Sequence, residues 1–479
     1  MNRIRLIALA ALAATGGAHA ISPAAIDAAR TAGTLKEIYV SGASAQRLFI
    51  AAYIKSICNA DFDVFYNGTG AAPSGSNHRA YSCTLKAKVG NYVAGTPLLF
   101  VKRDSGGSFN GVNPIAQNIA QESMNVLNNG TCTRTVNPSP ATDIQIPSYG
   151  CSTTSLRAST AGVSDVEPAL FQKAVNLPVG QVRLTSAELS ALDVRTINQT
   201  VFGVAVNKKA YRALQESQGL IPPGGVLNEA DSARPSLPRS FYAAAVSGFA
   251  SGSDATRPGW DAVIGTTVDA NAGNKTVNVC RRVTGSGTQT AANAHFLSAG
   301  CTTGSSALEP LAAGGVIGEF GTVAVNEGSG TGNVETCLAT VETSGTAAYG
   351  LGVISRENNP RANGGDKGYR FVSLDNVAPL RDIAKLGKYD FVYQATMQWN
   401  KNTTGANADL KAFMTAVRTN AGKAVNLALA DIDTQEGVLM APSAYSVQYN
   451  ALTTPADIKF ASRVQRNNNA SCSPLYFVK

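Results

Sequence analysis

Arg282 stands three residues ahead of Gly285-Ser286-Gly287-Thr288, after a strand-like run, Thr276 to Cys280, and just before a helix-like one, Gln289 to Leu297. That order of residue types is suited to holding an anion. The first N–H groups of a helix have no partner within it, and the aligned peptide dipoles add partial positive charge at the same end. Ser286 and Thr288 add hydroxyl donors, Gly287 lets the main chain approach a guest closely, and Arg282 offers the planar fork of donors that matches a tetrahedral oxyanion. Gly-Ser-Gly-Thr is also an ordinary turn sequence, so a site needs further partners.

Three other segments could supply them. Glu37 to Val40 reads as a strand, Ala45 to Ile57 as a helix, and Ser41-Gly42-Ala43-Ser44 between them as either a tight turn or a second seat that offers Ser44. Arg103-Asp104-Ser105-Gly106-Gly107-Ser108 follows the apolar run Thr96 to Val101; it is either loop punctuation or a nest of backbone donors that includes Ser105. Ser164-Asp165 precedes a short helical run, Ala169 to Ala174, and Asp165 is either a helix-start residue or a ligand contact. A carboxylate fits an anion site only as the acceptor for a guest that keeps a proton, such as hydrogen phosphate. It would repel fully ionised sulfate.

The elements that must position these residues alternate in type. Val201 to Val206 followed by Lys208 to Gln215 repeats the strand-then-helix order, which predicts α/β layers with a largely parallel sheet. At 479 residues the chain exceeds what one core usually serves, so two lobes are expected. Asn67 to Asn77, Asn128 to Pro147 and Gly219 to Pro238 read as surface loops.

Met1 to Ala20 has the form of a secretory signal, with Arg3 and Arg5, the apolar run Leu6 to Ala14 and Ala18-His19-Ala20 as a cleavage site. Its removal lowers the formal charge from +8 to +6, and no run of lysine or arginine longer than two occurs, which argues against a nucleic-acid partner. No later apolar run is long enough to span a bilayer. The 8 cysteines include no C-x-x-C pair, so disulfides are expected over zinc; closing neighbouring loops suggests Cys58 with Cys83, Cys132 with Cys151 and Cys280 with Cys301. An enzyme is not expected. Beyond the leader only His78 and His295 remain, neither in a catalytic motif, with His295 read as a packing residue, and no Gly-x-Ser-x-Gly elbow is present.

Taken in order, the segments resemble the periplasmic phosphate-binding proteins of bacterial ABC importers and the related DING-type binders. Ser41-Gly42-Ala43-Ser44-Ala45 looks like that family's Thr-Gly-Ala-Gly-Ala turn, Ser105-Gly106-Gly107 like its serine/glycine loop, and Ser164-Asp165 like its Ser-Asp pair. Arg282 to Thr288 looks like its Arg-x-x-Gly-Ser-Gly-Thr motif, with Ser247-Gly248 and Trp260 upstream and Ala347-Ala348-Tyr349-Gly350 downstream. The resemblance covers about Glu37 to Pro379. It implies a type II periplasmic-binding-protein fold, two α/β lobes joined by a two-strand hinge: residues 21–206 and 372–479 in one lobe, 207–371 in the other. It also implies a ligand set of Ser44, Ser105, Asp165, Arg282, Ser286, Gly287 and Thr288, inorganic phosphate or a related oxyanion as guest, no cofactor or metal, and a periplasmic or secreted monomer serving an ABC permease. Two departures stand out: Thr284 replaces an aspartate that pairs with the arginine, and Gln46-Arg47 replaces a Thr-Phe. A second basic group at Arg47 either serves a more highly charged guest or points to solvent. The competing reading is a secreted adhesive or structural protein that keeps the fold, with Asn128 to Pro147 and Gly328 to Gly332 as its working loops.

Overall fold

A computed structural model describes residues 21–68, 77–249, 259–301, 308–314, 323–344, 348–361, 365–430, 436–445, 447–467 and 470–478. The leader-like segment, most of the loop between Asn67 and Asn77, and Ala347 lie outside them.

Strands that read as apolar in sequence are buried on both faces and join one large sheet. Its main path uses β1 (Lys36–Gly42), β2 (Asp63–Asn67), β3 (His78–Thr84), β4 (Pro97–Arg103), β5 (Cys132–Arg134), β6 (Tyr149–Cys151) and β7 (Ala161–Ser164). The long β8 (Leu192–Asn207) is followed by β9 (Val277–Arg282), β10 (Val323–Gly328), β11 (Tyr349–Ser355) and β12 (Val392–Asn400). Across the sheet the order is β10-β9-β11-β8-β12-β7-β1-β4-β3-β2-β6-β5. Two triplets are parallel, β7-β1-β4 and β10-β9-β11.

The sheet as a whole is mixed, where the sequence predicts a largely parallel one. β8 runs antiparallel to both β11 and β12, and β12 runs antiparallel to β7. The expected strand Val201 to Val206 is the end of a 16-residue strand. Leu192 to Val201 pair with β12, and Phe202 to Val206 pair with β11, so one strand carries the chain from the side of the first triplet to that of the second.

Three helices bear on the site: α1 (Arg47–Ile57), α2 (Gly287–Leu297) and α3 (Thr331–Thr343). In α1 all residues from Leu48 to Ile54 are buried, consistent with a helix apolar on most of its circumference. The helical run expected over Ala169 to Ala174 is instead two single 3₁₀ turns, Pro168–Gln172 and Ala174–Asn176, separated by extended backbone at Lys173. The presumed loop at Asn128 to Pro147 contains β5 and buries Ala141 and Ile144.

One apolar cluster surrounds β1, β4 and α1 with Phe413, Met414 and Leu427. A second surrounds β8, β9 and α2, and receives Phe109, Ile115, Leu170 and Phe171 from the segments that follow β4 and β7. The two triplets are thus joined by packing as well as by β8.

Four disulfides are present: Cys58–Cys83, Cys132–Cys151, Cys280–Cys337 and Cys301–Cys472. The expected Cys280–Cys301 bridge does not form. Cys280 points from β9 into the apolar layer under α3, among Val334 and Leu338, where Cys337 is its neighbour. Cys301 lies beyond α2 on the side of the C-terminal segment. The bridge near the anion motif therefore ties β9 to α3, not to α2.

Candidate functional site

Parallel registers bring the candidate loops to one place. Ser41 pairs with Arg103 and Gly42 with Val163, so the loops after β1, β4 and β7 leave the sheet side by side. In the second triplet Arg282 pairs with Gly328, which puts the turn before α2 next to the turn before α3. Ends of parallel strands are where open α/β sheets place ligands, because helix N-termini and flexible turns converge there.

Arg282 is the centre of this junction. It is 2% exposed, and burial pulls its guanidinium down to about 10, which leaves it charged at neutral pH. Nη1 donates to Ser44 Oγ at 3.3 Å, across to the first triplet, and to Thr331 Oγ1 at 3.4 Å; Nη2 donates to the Ser329 carbonyl at 2.7 Å. Nε is buried without an acceptor. The carbonyl and the two hydroxyls hold the guanidinium, while Thr284 lines a separate pocket with Arg103 and Glu327.

Ser286, Gly287 and Thr288 open α2 as expected, and Ser286 caps it, its Oγ accepting from the Gln289 N–H at 3.5 Å. The tip is not open to a guest, however. A Cβ on Gly287 would lie 2.2 Å from Ser108 Oγ and 2.8 Å from Asp165 Oδ2, so the first triplet's loops close directly over it. Gly107, with φ +64°, makes the matching approach: a Cβ there would meet Ser286 Cα at 3.0 Å and Arg282 Nη2 at 3.5 Å. Asp165 accepts from Gln46 Nε2 at 2.9 Å, and its own N–H donates to Ser108 Oγ at 3.0 Å. Burial pushes its carboxyl up to about 6, with Gln46 and Arg282 working the other way.

The geometry thus gathers Ser44, Asp165, Arg282, Ser286, Gly287 and Thr288. Ser105 is tied to its own loop through its carbonyl. The Ser105 carbonyl accepts from Arg103 Nη1 and from Asn110 Nδ2 (3.1 Å), and the loop's contact with the cluster is made by Ser108. His295 stacks on Phe391 with ring centroids 4.4 Å apart, a packing role.

Several participants are not in the expected set. Lys102 is fully buried in β4, its Nζ donating to Asp104 Oδ1 at 2.6 Å and to the carbonyls of Gly42, Ala43 and Arg103; Arg79 holds the other Asp104 oxygen at 2.6 Å. A lysine inside the apolar run Pro97 to Val101-Lys102 is the signal that could have found it. Glu357 is 3% exposed with neither oxygen bonded, and burial pushes its carboxyl up to about 8 against the pull of Arg47. The tip of α3, Gly328-Ser329-Gly330-Thr331, repeats the tetrapeptide Gly285-Ser286-Gly287-Thr288, and that repetition was legible in the sequence.

Beside the closed α2 tip the structure has a polar cleft of about 700 Å³, lined among others by Ser44, Arg47, Arg79, Thr331, Asn358 and Lys367. Arg47 faces into it, its Nη2 donating to Asn358 Oδ1 at 3.4 Å. At neutral pH Glu357 is largely protonated. On the wall Arg47, Arg79 and Lys367 outnumber Asp104 and Glu335, and Arg282 adds its charge behind Ser44 and Thr331. Among the described residues no group of three His, Cys, Asp or Glu is placed to hold a metal ion, and no helix is long and apolar enough to cross a membrane.

No protein-family model matches the chain, and no curated protein matches it. Solved structures do. One is a Clostridium perfringens protein described as a phosphate ABC transporter substrate-binding protein and solved with bound phosphate: 10% identity, 82% of this chain and 98% of that one covered, TM-score 0.40. PstS from Borrelia burgdorferi is similar at 10% identity over 83% and 96% of the two chains, TM-score 0.33. An ABC-type phosphate transport receptor from Vibrio cholerae is similar at 14% identity over 57% and 79%, TM-score 0.31. With likeness this low, what the site does is read from its own residues.

Proposed function

We propose that this chain is an exported solute-binding protein that captures phosphate or a related oxyanion between two α/β lobes, residues 21–206 with 372–479 and residues 207–371, without catalytic turnover. ABC-type uptake from the periplasm is the role this reading implies. The observation that carries it is Arg282. A buried, charged guanidinium reaches Ser44 on one side of the junction and Ser329 and Thr331 on the other, and keeps one N–H without an acceptor. A buried cation is stable only when paired, and a desolvated oxyanion is the partner its donor fork fits.

Asp165 supports a protonated guest. Its carboxylate, ionised above about pH 6 and buried beside Arg282, opposes fully ionised sulfate more than a phosphate that keeps its protons and carries a single charge. The test is calorimetric titration of the mature protein, stripped of carried-over ligand, with phosphate and with sulfate. Binding of phosphate in preference to sulfate is expected. Ligand at a hundredfold its Kd should then stabilise the fold by about 2.7 kcal/mol. No heat and no stabilisation with either anion would end this reading in favour of an adhesive or structural role.

A further inference from the structure

The cleft is far larger than a bare tetrahedral anion. At about 30 Å³ per water, its 700 Å³ holds roughly twenty waters, whereas phosphate is one central atom with four oxygens. It lies in the range of about 300–1,000 Å³ usual for small-molecule sites.

Its wall is chemically uneven. At one end is the tip of α3. Gly330 is already capped, its N–H donating to Asn333 Oδ1 at 2.9 Å, and the Asn333 N–H donates back to the Gly330 carbonyl at 3.2 Å, while the N–H groups of Thr331 and Gly332 between them have no acceptor within a helix. Ser44 and Thr331, the two hydroxyls bonded to Arg282, both line the cleft, so the guanidinium with its unpaired Nε lies directly behind them. Arg47 and Arg79 line the same cleft. Asn77 reaches the tip, its Oδ1 3.5 Å from where a Cβ on Gly330 would sit, and Asn358 is held by Arg47; further along α3 the wall carries Glu335, Thr336 and Lys367, and no aromatic ring is among the described lining residues. Amides and carboxylates in that density donate to and accept from hydroxyl groups; they give a nucleobase nothing to stack on and an acyl chain nothing to pack against. The surplus of arginine and lysine over carboxylate on the wall, with Arg282 behind it, suits an anionic phosphate monoester.

Resting on the oxyanion-binding reading above, we propose that the open seat is the α3 tip and not the α2 tip, and that its guest is a hydroxyl-rich phosphate monoester. The phosphate sits against Thr331, Ser44 and Arg47 with Arg282 behind, and the hydroxylated part runs along α3 towards Thr336 and Lys367. The α2 tip, closed by Asp165 and Ser108, acts as the fixed floor on which Arg282 is oriented.

The test titrates the stripped protein with inorganic phosphate, glucose 6-phosphate, glycerol 3-phosphate and glucose. At least one phosphate ester should bind about tenfold or more tightly than inorganic phosphate, and glucose should not bind. Thr336→Leu, five residues or about 7.5 Å along α3 from Thr331, narrows the organic end at an exposed position. It should cost the ester about tenfold while the Kd for inorganic phosphate moves less than about twofold. Equal affinity for phosphate and both esters, or equal weakening of phosphate and ester by Thr336→Leu, would overturn this inference and leave oxyanion binding standing. Absence of binding by every phosphorylated probe, or tight binding of glucose itself, would overturn both.

Discussion

Two turns in this protein share the sequence Gly-Ser-Gly-Thr, end neighbouring parallel strands in register, and open helices of similar length, yet they meet different surroundings. The tip at 285–288 is closed: Ser108 and Asp165 lie where a side chain on Gly287 would go. The tip at 328–331 is open: a Cβ on Gly330 would find only Asn333 Oδ1 at 3.4 Å and Asn77 Oδ1 at 3.5 Å, ordinary contacts beside a large cleft. An anion-binding turn is therefore not a property of four residues. What packs against the turn decides whether it is covered by a neighbouring loop or left facing a cleft.

The residue shared by both tips should show the largest effect. Arg282→Ala removes the charged partner of a desolvated anion, and phosphate affinity measured by calorimetry should fall by about 2–5 kcal/mol; an unchanged affinity would break the link between the tips and binding. Gly287→Ala comes next. Its methyl must displace Ser108 and Asp165, so denaturant unfolding should show a loss of about 1–3 kcal/mol. Full stability in that variant would mean the α2 tip is not closed.

Asp165→Asn should relax the rejection of sulfate by roughly tenfold, about 1.4 kcal/mol, because the negative charge buried beside Arg282 is removed. Equal rejection by both proteins would remove its role in choosing between the anions.

Glu357 sharpens the comparison through pH. Its folded pKa, about 8, lies above the ordinary carboxyl value of 4.5, so the unfolded chain releases this proton first. The corresponding stability is fully present below pH 4.5 and is lost as pH rises through 8. Urea midpoints should decline across that window in the wild type and decline less in Glu357→Gln; parallel curves would contradict a buried, uncharged Glu357. The smallest effect belongs to Gly330→Ala, expected within about 0.5 kcal/mol of wild-type stability while lowering anion affinity by crowding the open tip. A loss as large as that of Gly287→Ala would erase the distinction between the tips.

Much of the site was legible residue by residue. Arg282, Ser44, Asp165 and the α2 tip were each marked by a local rule, because strand-to-turn-to-helix sequences carry their own signals. Lys102 and Glu357 were not, since their role comes from burial among charges that are distant in sequence. The contact of Ser108 with Asp165 was not marked either, since it lies beyond the turn that Gly106 and Gly107 make at positive φ. The Cys280 pairing failed for a similar reason. Which face of β9 a side chain points from, and which helix covers that face, depends on chain segments 57 residues apart.

By itself the sequence determined the alternating elements, the α/β class and the arginine-plus-glycine turns, because backbone propensity and apolar periodicity act over a few residues. Only the tertiary structure decided that two identical turns would differ, one covered by a carboxylate and one facing a cleft. Packing between strands β7, β1 and β4 and strands β10, β9 and β11 sets the distances across the junction, and no local pattern encodes a distance between segments more than a hundred residues apart.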